Sequence, residues 1–319
     1  MIDFSYFQRG LAALARAHPV GGMAGHLGSS VMAGYFFSEI HTNLVPGVKF
    51  AIERDLERII GGEEAIWYNQ KKEGIRIPEL FEPPVFEPAG AEGEKAAGKV
   101  AEALSQNINT LRQSGHNTIF GSIAIRGLRE HPELGSEKIT DGLVRLMATF
   151  DRQGPGRAYF GKAEGWKQGG QIDVSRVPEP KYDDLEGMAV ATLEEVITSS
   201  SKSRRGLGGL HHLIDHAAAI VELADQGFSG LAERGIKAQR RHLRMMQALP
   251  VLNEELGTRV AAKQDPLTPE YWERRNSVQF SAWLTHRIKS LYGFSILAGL
   301  VEDEELTDRA SGAMRYLLA

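Results

Sequence analysis

Apolar residues recur along this chain at intervals of three and four positions, which is the period of a helix with one buried face. Near the amino terminus, Phe4, Phe7, Leu11, Leu14 and Ala15 follow this spacing. The alternation that marks a half-buried strand is nearly absent. The pattern therefore predicts an all-α protein, with helices after the first at 26–42, 47–61, 95–113, 117–131, 137–151, 183–200, 209–226, 229–247, 270–292 and 304–317.

Two stretches interrupt the helical pattern. Between residues 74 and 93, three X-Pro steps disfavour helix and predict an extended segment. Between residues 154 and 180, aromatic residues such as Tyr159 and Trp166 stand among glycines, which predicts an ordered loop that packs its rings. We expect one helical domain over residues 1–319, with these irregular segments inside it.

Several predicted helices start alike. Gly25-His26 and Gly115-His116 are 90 residues apart, and Gly208 opens a third histidine-bearing helix about 90 residues later. Their small residues allow close helix packing, whereas the helices that follow them, such as 50–58 and 138–145, are more charged. The sequence predicts an α/α toroid or a curved array of helical hairpins, with inner Gly/His-bearing helices and a charged outer ring.

Composition narrows the classes of function. The 37 Lys and Arg residues against 41 Asp and Glu residues give a net charge of -4, so the chain lacks the positive field that nucleic-acid binding requires. With no cysteine, thiolate nucleophiles and Cys-ligated metals are excluded, and any metal needs His or carboxylate ligands. Neither a secretory signal nor a membrane-spanning apolar run is recognisable. We expect a cytoplasmic protein with a small-molecule substrate and neither nucleic-acid nor membrane partners.

The densest candidate for chemistry is the segment 211–216. His212 and His216 are four residues apart on one helical face and could chelate a divalent metal. His211 and Asp215 form a second such pair, in which the carboxylate could orient the imidazole or serve as a ligand. The alternative is a set of surface or core histidines bonded to carbonyls.

His26 and His116 follow a glycine at a helix start, where the partial positive charge of free amides disfavours the imidazolium form. Neutral imidazoles suit a metal ligand or a general base, although either residue could instead cap its helix. His286 is a fourth candidate, and the neighbouring Arg287 and Lys289 could hold an anionic substrate or be solvated surface groups. His242 lies in the basic run 240–244, which is predicted to be a solvated helix face.

Nucleotide cofactors are not indicated. The glycines at 206–209 and 161–170 lack the spacing of phosphate-binding and dinucleotide-binding loops, and no parallel-sheet pattern surrounds them.

In its predicted architecture the chain resembles the α/α toroid enzymes. The order of its histidine motifs also resembles that of the questin oxidase-like family, through His26, His116, Leu210-His211 with His216-Ala217, and His286-x-Ile288-Lys289. This resemblance implies an oxygen-inserting oxidoreductase that acts on an aromatic or polyketide-like compound.

The leading hypothesis is an enzyme with a His-lined central cavity, a metal-dependent (non-haem) oxidoreductase or a related enzyme acting on a small organic molecule. Iron, manganese, copper and zinc all suit nitrogen and oxygen ligands. The predicted metal ligands are His26, His116, His212 and His216; the predicted catalytic residues are His26, His116, His211, Asp215 and His286; the predicted substrate contacts are Tyr159, Trp166, Arg287 and Lys289.

Two alternatives stay open. In one, the same histidines act without a metal, as an isomerase, epimerase or lyase on a sugar-like or carbonyl substrate. In the other, the chain is a helical-repeat protein that binds a partner on a concave face without catalysis.

Overall fold

A computed structural model describes residues 1–64, 68, 75–83, 90–273 and 282–319. Over these residues the chain is mostly helical, which confirms the predicted class, and it forms fourteen α-helices and three short strands. The helices are α1 (Phe4–Ala15), α2 (Gly25–Ile40), α3 (Pro46–Ile60), α4 (Ile77–Leu80), α5 (Gly90–Ser105), α6 (His116–Glu130), α7 (Glu137–Ala148), α8 (Leu185–Ser199), α9 (Gly209–Asp225), α10 (Ser229–Gln247), α11 (Asn253–Leu256), α12 (Pro269–Trp272), α13 (Trp283–Leu300) and α14 (Glu304–Met314).

The chain forms two compact units. The first unit comprises Met1–Gln106, Phe120–Asp151 and Gln264–Tyr292, and the second comprises Asn107–Ile119, Arg152–Lys263 and Gly293–Ala319. The toroid arrangement and the single domain stay predictions.

The core of the first unit is centred on the contact between α1 and α2. Helix α1 buries Phe7, Leu11 and Leu14 on one face, as its apolar spacing predicts, whereas α2 is buried along most of its length. A Cβ atom at Gly28 would lie 2.4 Å from the backbone nitrogen of Leu14. Only glycine allows the two backbones to approach this closely, so the small residues of α2 place it inside the unit.

The carboxylate of Glu64 caps α13 in the same unit. It accepts hydrogen bonds from the backbone nitrogens of Leu284 at 2.7 Å and Thr285 at 3.0 Å, and it is buried. A carboxylate at a helix start satisfies free amides and opposes the positive end of the helix dipole. This cap fixes the first turn of the helix that carries His286 and Lys289.

The second unit packs α8, α9 and α10 together, with α14 against α8. Helix α9 is buried along nearly its whole length, and α10 approaches it at Gly235, where a Cβ atom would lie 2.9 Å from Cγ1 of Ile220. Helix α9, which carries His212 and His216, is therefore buried within its unit.

A small antiparallel sheet in the second unit contains β1 (Arg157–Tyr159), β2 (Trp166–Gln168) and β3 (Arg205–Gly206), in the order β2-β1-β3. Tyr159 lies opposite both Trp166 and Arg205. The stretch at 154–180 is thus ordered, as predicted, but Tyr159 and Trp166 lie in short strands that the residue pattern did not indicate.

Other boundaries differ from the predictions. The helix predicted at 95–113 runs from Gly90 to Ser105, and residues 106–112 form turns and a bend before the positive-φ residues 113–115. The predicted extended stretch at 74–93 contains the single turn α4 and the start of α5, while Gly74 and residues 84–89 lie outside the described residues. In the region predicted as 270–292, α12 and α13 are separated by residues 274–281, which also lie outside them.

None of the helices within the described ranges combines the length and the apolar character that a membrane crossing requires.

Candidate metal centre

A turn of left-handed residues orients His116 in the second unit. Gln113, Ser114 and Gly115 have φ values of 42°, 61° and 89°, and α6 begins directly after them. This conformation is unfavourable for the two non-glycine residues, and it directs the Gln113 carbonyl towards Nδ1 of His116 within hydrogen-bonding distance. A carbonyl oxygen only accepts, so Nδ1 carries the proton and Nε2 of His116 carries a lone pair.

The 113–115 turn is held by the loop that leads into β1. The Gln113 amide donates to the Gly154 carbonyl at 2.7 Å, and the Ser114 amide donates to the Pro155 carbonyl at 2.9 Å. These bonds stabilise a conformation that Gln113 and Ser114 would not adopt alone.

A second left-handed turn orients His212. Residues 206–209 all have positive φ, including Leu207 at 51° and Gly208 at 71°. The carbonyl of Gly208 accepts a hydrogen bond of 2.9 Å from Nδ1 of His212, so the lone pair of this ring is also on Nε2. The Leu207 amide donates to the Arg157 carbonyl at 2.9 Å, which ties this turn to β1 as well.

The two imidazoles meet through their remaining nitrogens. Nε2 of His116 lies 2.9 Å from Nε2 of His212, and both residues are buried. Two lone pairs at this separation repel each other unless a proton or a metal cation lies between them. Nδ1 bonded to a carbonyl, with Nε2 left for the metal, is the arrangement typical of metal-binding histidines. The geometry of the pair therefore makes it a candidate metal centre.

His216 and His242 form a second imidazole pair in this unit, with ring centroids 5.6 Å apart. Burial lowers the pKa of His216 well below its ordinary value, and the neighbouring His242 lowers it further. Burial also lowers the pKa of His242 to about 4. Both rings are neutral at pH 7, and within the described residues neither Nδ1 atom has a hydrogen-bond partner.

The interpretation of His242 as part of a solvated face is wrong, since its exposed fraction is 0%. The run 240–244 does have exposed and half-buried arginines, but His242 lies on the face of α10 that packs into the unit. The helical period around Leu243 and Met246 was the sequence signal for this burial.

Other predicted residues of α9 are more dispersed. His216 packs on Gly115, where a Cβ atom would lie 2.6 Å from Cγ of its ring. Asp215 is buried, with Oδ1 3.3 Å from the Cβ position of Gly293, whereas His211 is half-buried. The predicted pairings of His212 with His216 and of His211 with Asp215 follow from helix spacing, and the closest imidazole contact instead joins His212 to His116.

In the first unit, His26, His286 and Lys289 lie together and are buried. Nζ of Lys289 is 2.7 Å from Nδ1 of His26, and the His26 and His286 ring centroids are 4.9 Å apart. Nδ1 of His286 donates to the Ala282 carbonyl at 2.6 Å, which leaves its lone pair on Nε2. The cluster therefore brings two imidazoles and an amine into contact with one another.

Arg287 has a different environment. It is buried, forms an ion pair with Asp55, and lies over Trp283 at 3.9 Å and Trp272 at 4.4 Å from the ring centroids. Aromatic faces and a carboxylate are a stable setting for a buried guanidinium. These contacts explain Arg287 as a packing element of its unit.

Tyr159 and Trp166, the aromatic residues predicted to contact substrate, lie on the small sheet of the second unit. Tyr159 donates to Glu255 at 2.7 Å, a bond that raises the pKa of its hydroxyl group. Trp166 is 45% exposed and lies 4.6 Å from the Arg157 guanidinium carbon. Trp166 is therefore available to solvent rather than packed inside a loop.

Among the described residues, His116 and His212, both buried in the second unit, could hold a metal ion. His26, the other buried histidine predicted as a ligand, lies in the first unit. The chain matches no protein-family model, and no curated protein or solved structure is significantly similar to it. The likenesses to toroid enzymes and to the questin oxidase-like family accordingly stay predictions.

Proposed function

We propose that this chain is a metal-dependent enzyme, a non-haem oxidoreductase or a related enzyme that acts on a small organic molecule, with His116 and His212 as metal ligands. The observation that carries the proposal is the facing pair of Nε2 atoms, 2.9 Å apart, on two rings whose Nδ1 protons are bound by backbone carbonyls. A divalent cation removes the repulsion between the two lone pairs.

The separation of the two nitrogens supports this assignment. Nitrogen ligands about 2.0 to 2.1 Å from one ion are roughly 2.8 to 3.4 Å apart for angles of roughly 90 to 109°, so 2.9 Å lies near the short end of this range. Imidazole ligands suit iron, manganese, copper and zinc. A redox-active metal would supply oxygen chemistry, and zinc would polarise a carbonyl or activate water.

His26 stays the third ligand predicted from the sequence, and it is buried at the start of α2. Because its Nδ1 accepts from the Lys289 ammonium, it would bind a metal through Nε2 only after that atom loses its proton. Among the other predicted residues, His211, Asp215, His216 and His286 are proposed to assist the reaction, and Tyr159, Trp166 and Lys289 to bind substrate. Arg287 is left out of the substrate site because Asp55 and its aromatic neighbours already surround its guanidinium group.

Metal analysis tests the proposal. The wild-type chain, expressed in metal-supplemented medium and purified without chelators, should hold about one equivalent of a transition metal. The H116A and H212A variants should hold less than about a tenth of an equivalent, because a single remaining imidazole binds an ion weakly. The H131A variant is the matched control, since His131 is paired with Glu133 in the first unit. A wild-type protein without any transition metal would refute the metal reading.

The contact between Lys289 and His26 favours a second candidate, a metal-free isomerase, epimerase or lyase. Lys289 could stabilise an oxyanion while His26 and His286 move protons on a hydroxy-carbonyl compound. Chelator-treated protein would then catalyse solvent-deuterium exchange into a panel of sugars and hydroxy-ketones, measured by mass spectrometry. Activity that survives chelation in the wild type and is lost in K289M would favour this candidate over the metal enzyme.

A further inference from the structure

Gly208 acts on the His212 ring in two ways. Its carbonyl accepts the Nδ1 proton at 2.9 Å. A Cβ atom at residue 208 would lie 1.7 Å from Nδ1 and 2.1 Å from Cγ of the same ring. Such distances are far inside van der Waals contact, so any side chain at this position must displace the imidazole.

The need for glycine at residue 208 does not come from the core, since the residue is exposed. Its neighbour Gly209 has nearly the same backbone conformation, with φ at 66° against 71°. A Cβ atom at Gly209 would meet nothing within 4 Å. Both glycines therefore have the same left-handed backbone, but only at Gly208 would a side chain occupy the space of the His212 ring.

The carbonyl of Gly208 is held in place by the contacts of the two preceding residues with β1. The Leu207 amide donates to the Arg157 carbonyl, and a Cβ atom at Gly206 would lie 2.3 Å from Cα of Ala158. Because residues 206 and 207 bond to and pack on β1, the Gly208 carbonyl cannot readily shift to keep its hydrogen bond with a displaced imidazole.

We propose that Gly208 is a positioning residue of the metal centre, which fixes the Nδ1–H form of His212 and so presents Nε2 to the metal. This inference rests on the proposed function, because it assigns a supporting role at the same site. Carbonyl partners of metal-binding histidines set both the tautomer and the ring orientation, and their loss typically lowers metal affinity about 10- to 100-fold.

The test compares G208A with G209A. Both variants place alanine in a left-handed conformation, so both carry the same backbone cost, but only G208A intrudes on His212. Zinc(II) is titrated into metal-free protein against a competing chelator. We expect the affinity of G208A to fall at least about tenfold and that of G209A to stay within roughly threefold of wild type. Equal losses in the two variants, or no loss in G208A, would overturn the proposal.

A second measurement does not depend on metal binding. In metal-free protein with ¹⁵N-labelled histidine, nuclear magnetic resonance reports which nitrogen of His212 carries the proton, and H212Q assigns the signal. We expect Nδ1–H in the wild type and in G209A, and a change to Nε2–H or to a mixture in G208A. A wild-type ring in the Nε2–H form would overturn the proposal even if G208A failed to fold.

The two measurements also separate the proposals. A wild-type chain that binds no metal but shows the expected tautomers would refute the metal function and leave the orienting role of Gly208 in place. Normal metal binding with an unchanged tautomer in G208A would refute the positioning role alone.

Discussion

The histidine pair of the second unit and the basic cluster of the first unit are both buried, yet they differ in what satisfies their polar atoms. His116 and His212 give their Nδ1 protons to backbone carbonyls and direct two lone pairs at each other. In the first unit, Lys289 contacts His26, and Arg287 is paired with Asp55 between aromatic rings. Burial of titratable groups is common to both regions, so it does not mark a candidate metal centre; the facing Nε2 atoms with carbonyl-bound Nδ1 protons distinguish the pair of the second unit.

The largest expected effect is a loss of stability when the buried Arg287 loses its partner Asp55. The ion pair stabilises the first unit and does not belong to the histidine pair of the second unit. Replacing Asp55 by alanine should destabilise the protein by about 3 to 5 kcal/mol, since it leaves a buried guanidinium without its carboxylate. Urea unfolding measures this loss. The D55A/R287M double variant should recover part of it, and the metal content of D55A that remains folded should equal that of wild type.

The next effect tests whether His26 joins the pair of the second unit. If His26 is a third ligand, the H26A variant should bind zinc at least about tenfold more weakly than wild type. The loss of a residue that merely supports a ligand already costs about 10- to 100-fold. Chelator competition provides the measurement, and H286A, which removes the neighbouring ring, is the control and should change the affinity little. If H26A binds zinc as tightly as wild type, the first-unit cluster is separate from the metal centre.

The buried His242 of the second unit should make the stability of the protein depend on pH. Its pKa is about 4 in the folded protein and has the ordinary value of 6.5 when unfolded, so the unfolded state binds more protons between these values. Stability should therefore be fully present above pH 6.5 and fall as the pH drops towards 4, by up to about 1.4 kcal/mol per pH unit. Urea midpoints at pH 7, 6 and 5 measure this slope, which should be shallower in H242Q. An unchanged slope would contradict the burial of a neutral His242.

The smallest effect is expected at the exposed sheet. Replacing Trp166 by alanine should change stability by less than about 1 kcal/mol and leave the metal content unaltered, because the side chain is 45% exposed. Thermal unfolding and metal analysis check both statements. A large loss of metal in W166A would mean that the sheet and the metal centre are more tightly coupled than the described contacts indicate.

The sequence predicted the helical class and the burial of the Gly/His-bearing helices, because both follow from residue periodicity. Helix spacing could also identify His212 as a candidate ligand. It could not identify His116 as the partner of His212, because that contact joins residues 96 positions apart through two turns of unusual backbone conformation. Leu207, Gln113 and Ser114 have positive φ although none is glycine, so no propensity rule anticipates these turns.

The interior position of His242 shows a different difficulty. Three arginines surround it in sequence, and their charge suggested a solvated face, but a helix turns by about 100° per residue and can bury one residue of a charged run. The short strands escaped prediction because two or three residues are too few to show alternation.

The close contact between Gly208 and His212 should restrict residue 208 in homologous proteins. A residue four positions before a ligand histidine usually varies freely on a helix, yet here it is confined to glycine by the ring itself. Homologous proteins that keep this centre should therefore carry a Gly-x-x-x-His signature, and a chain with the histidine but a bulky residue four positions earlier should have abandoned the chemistry while keeping the fold.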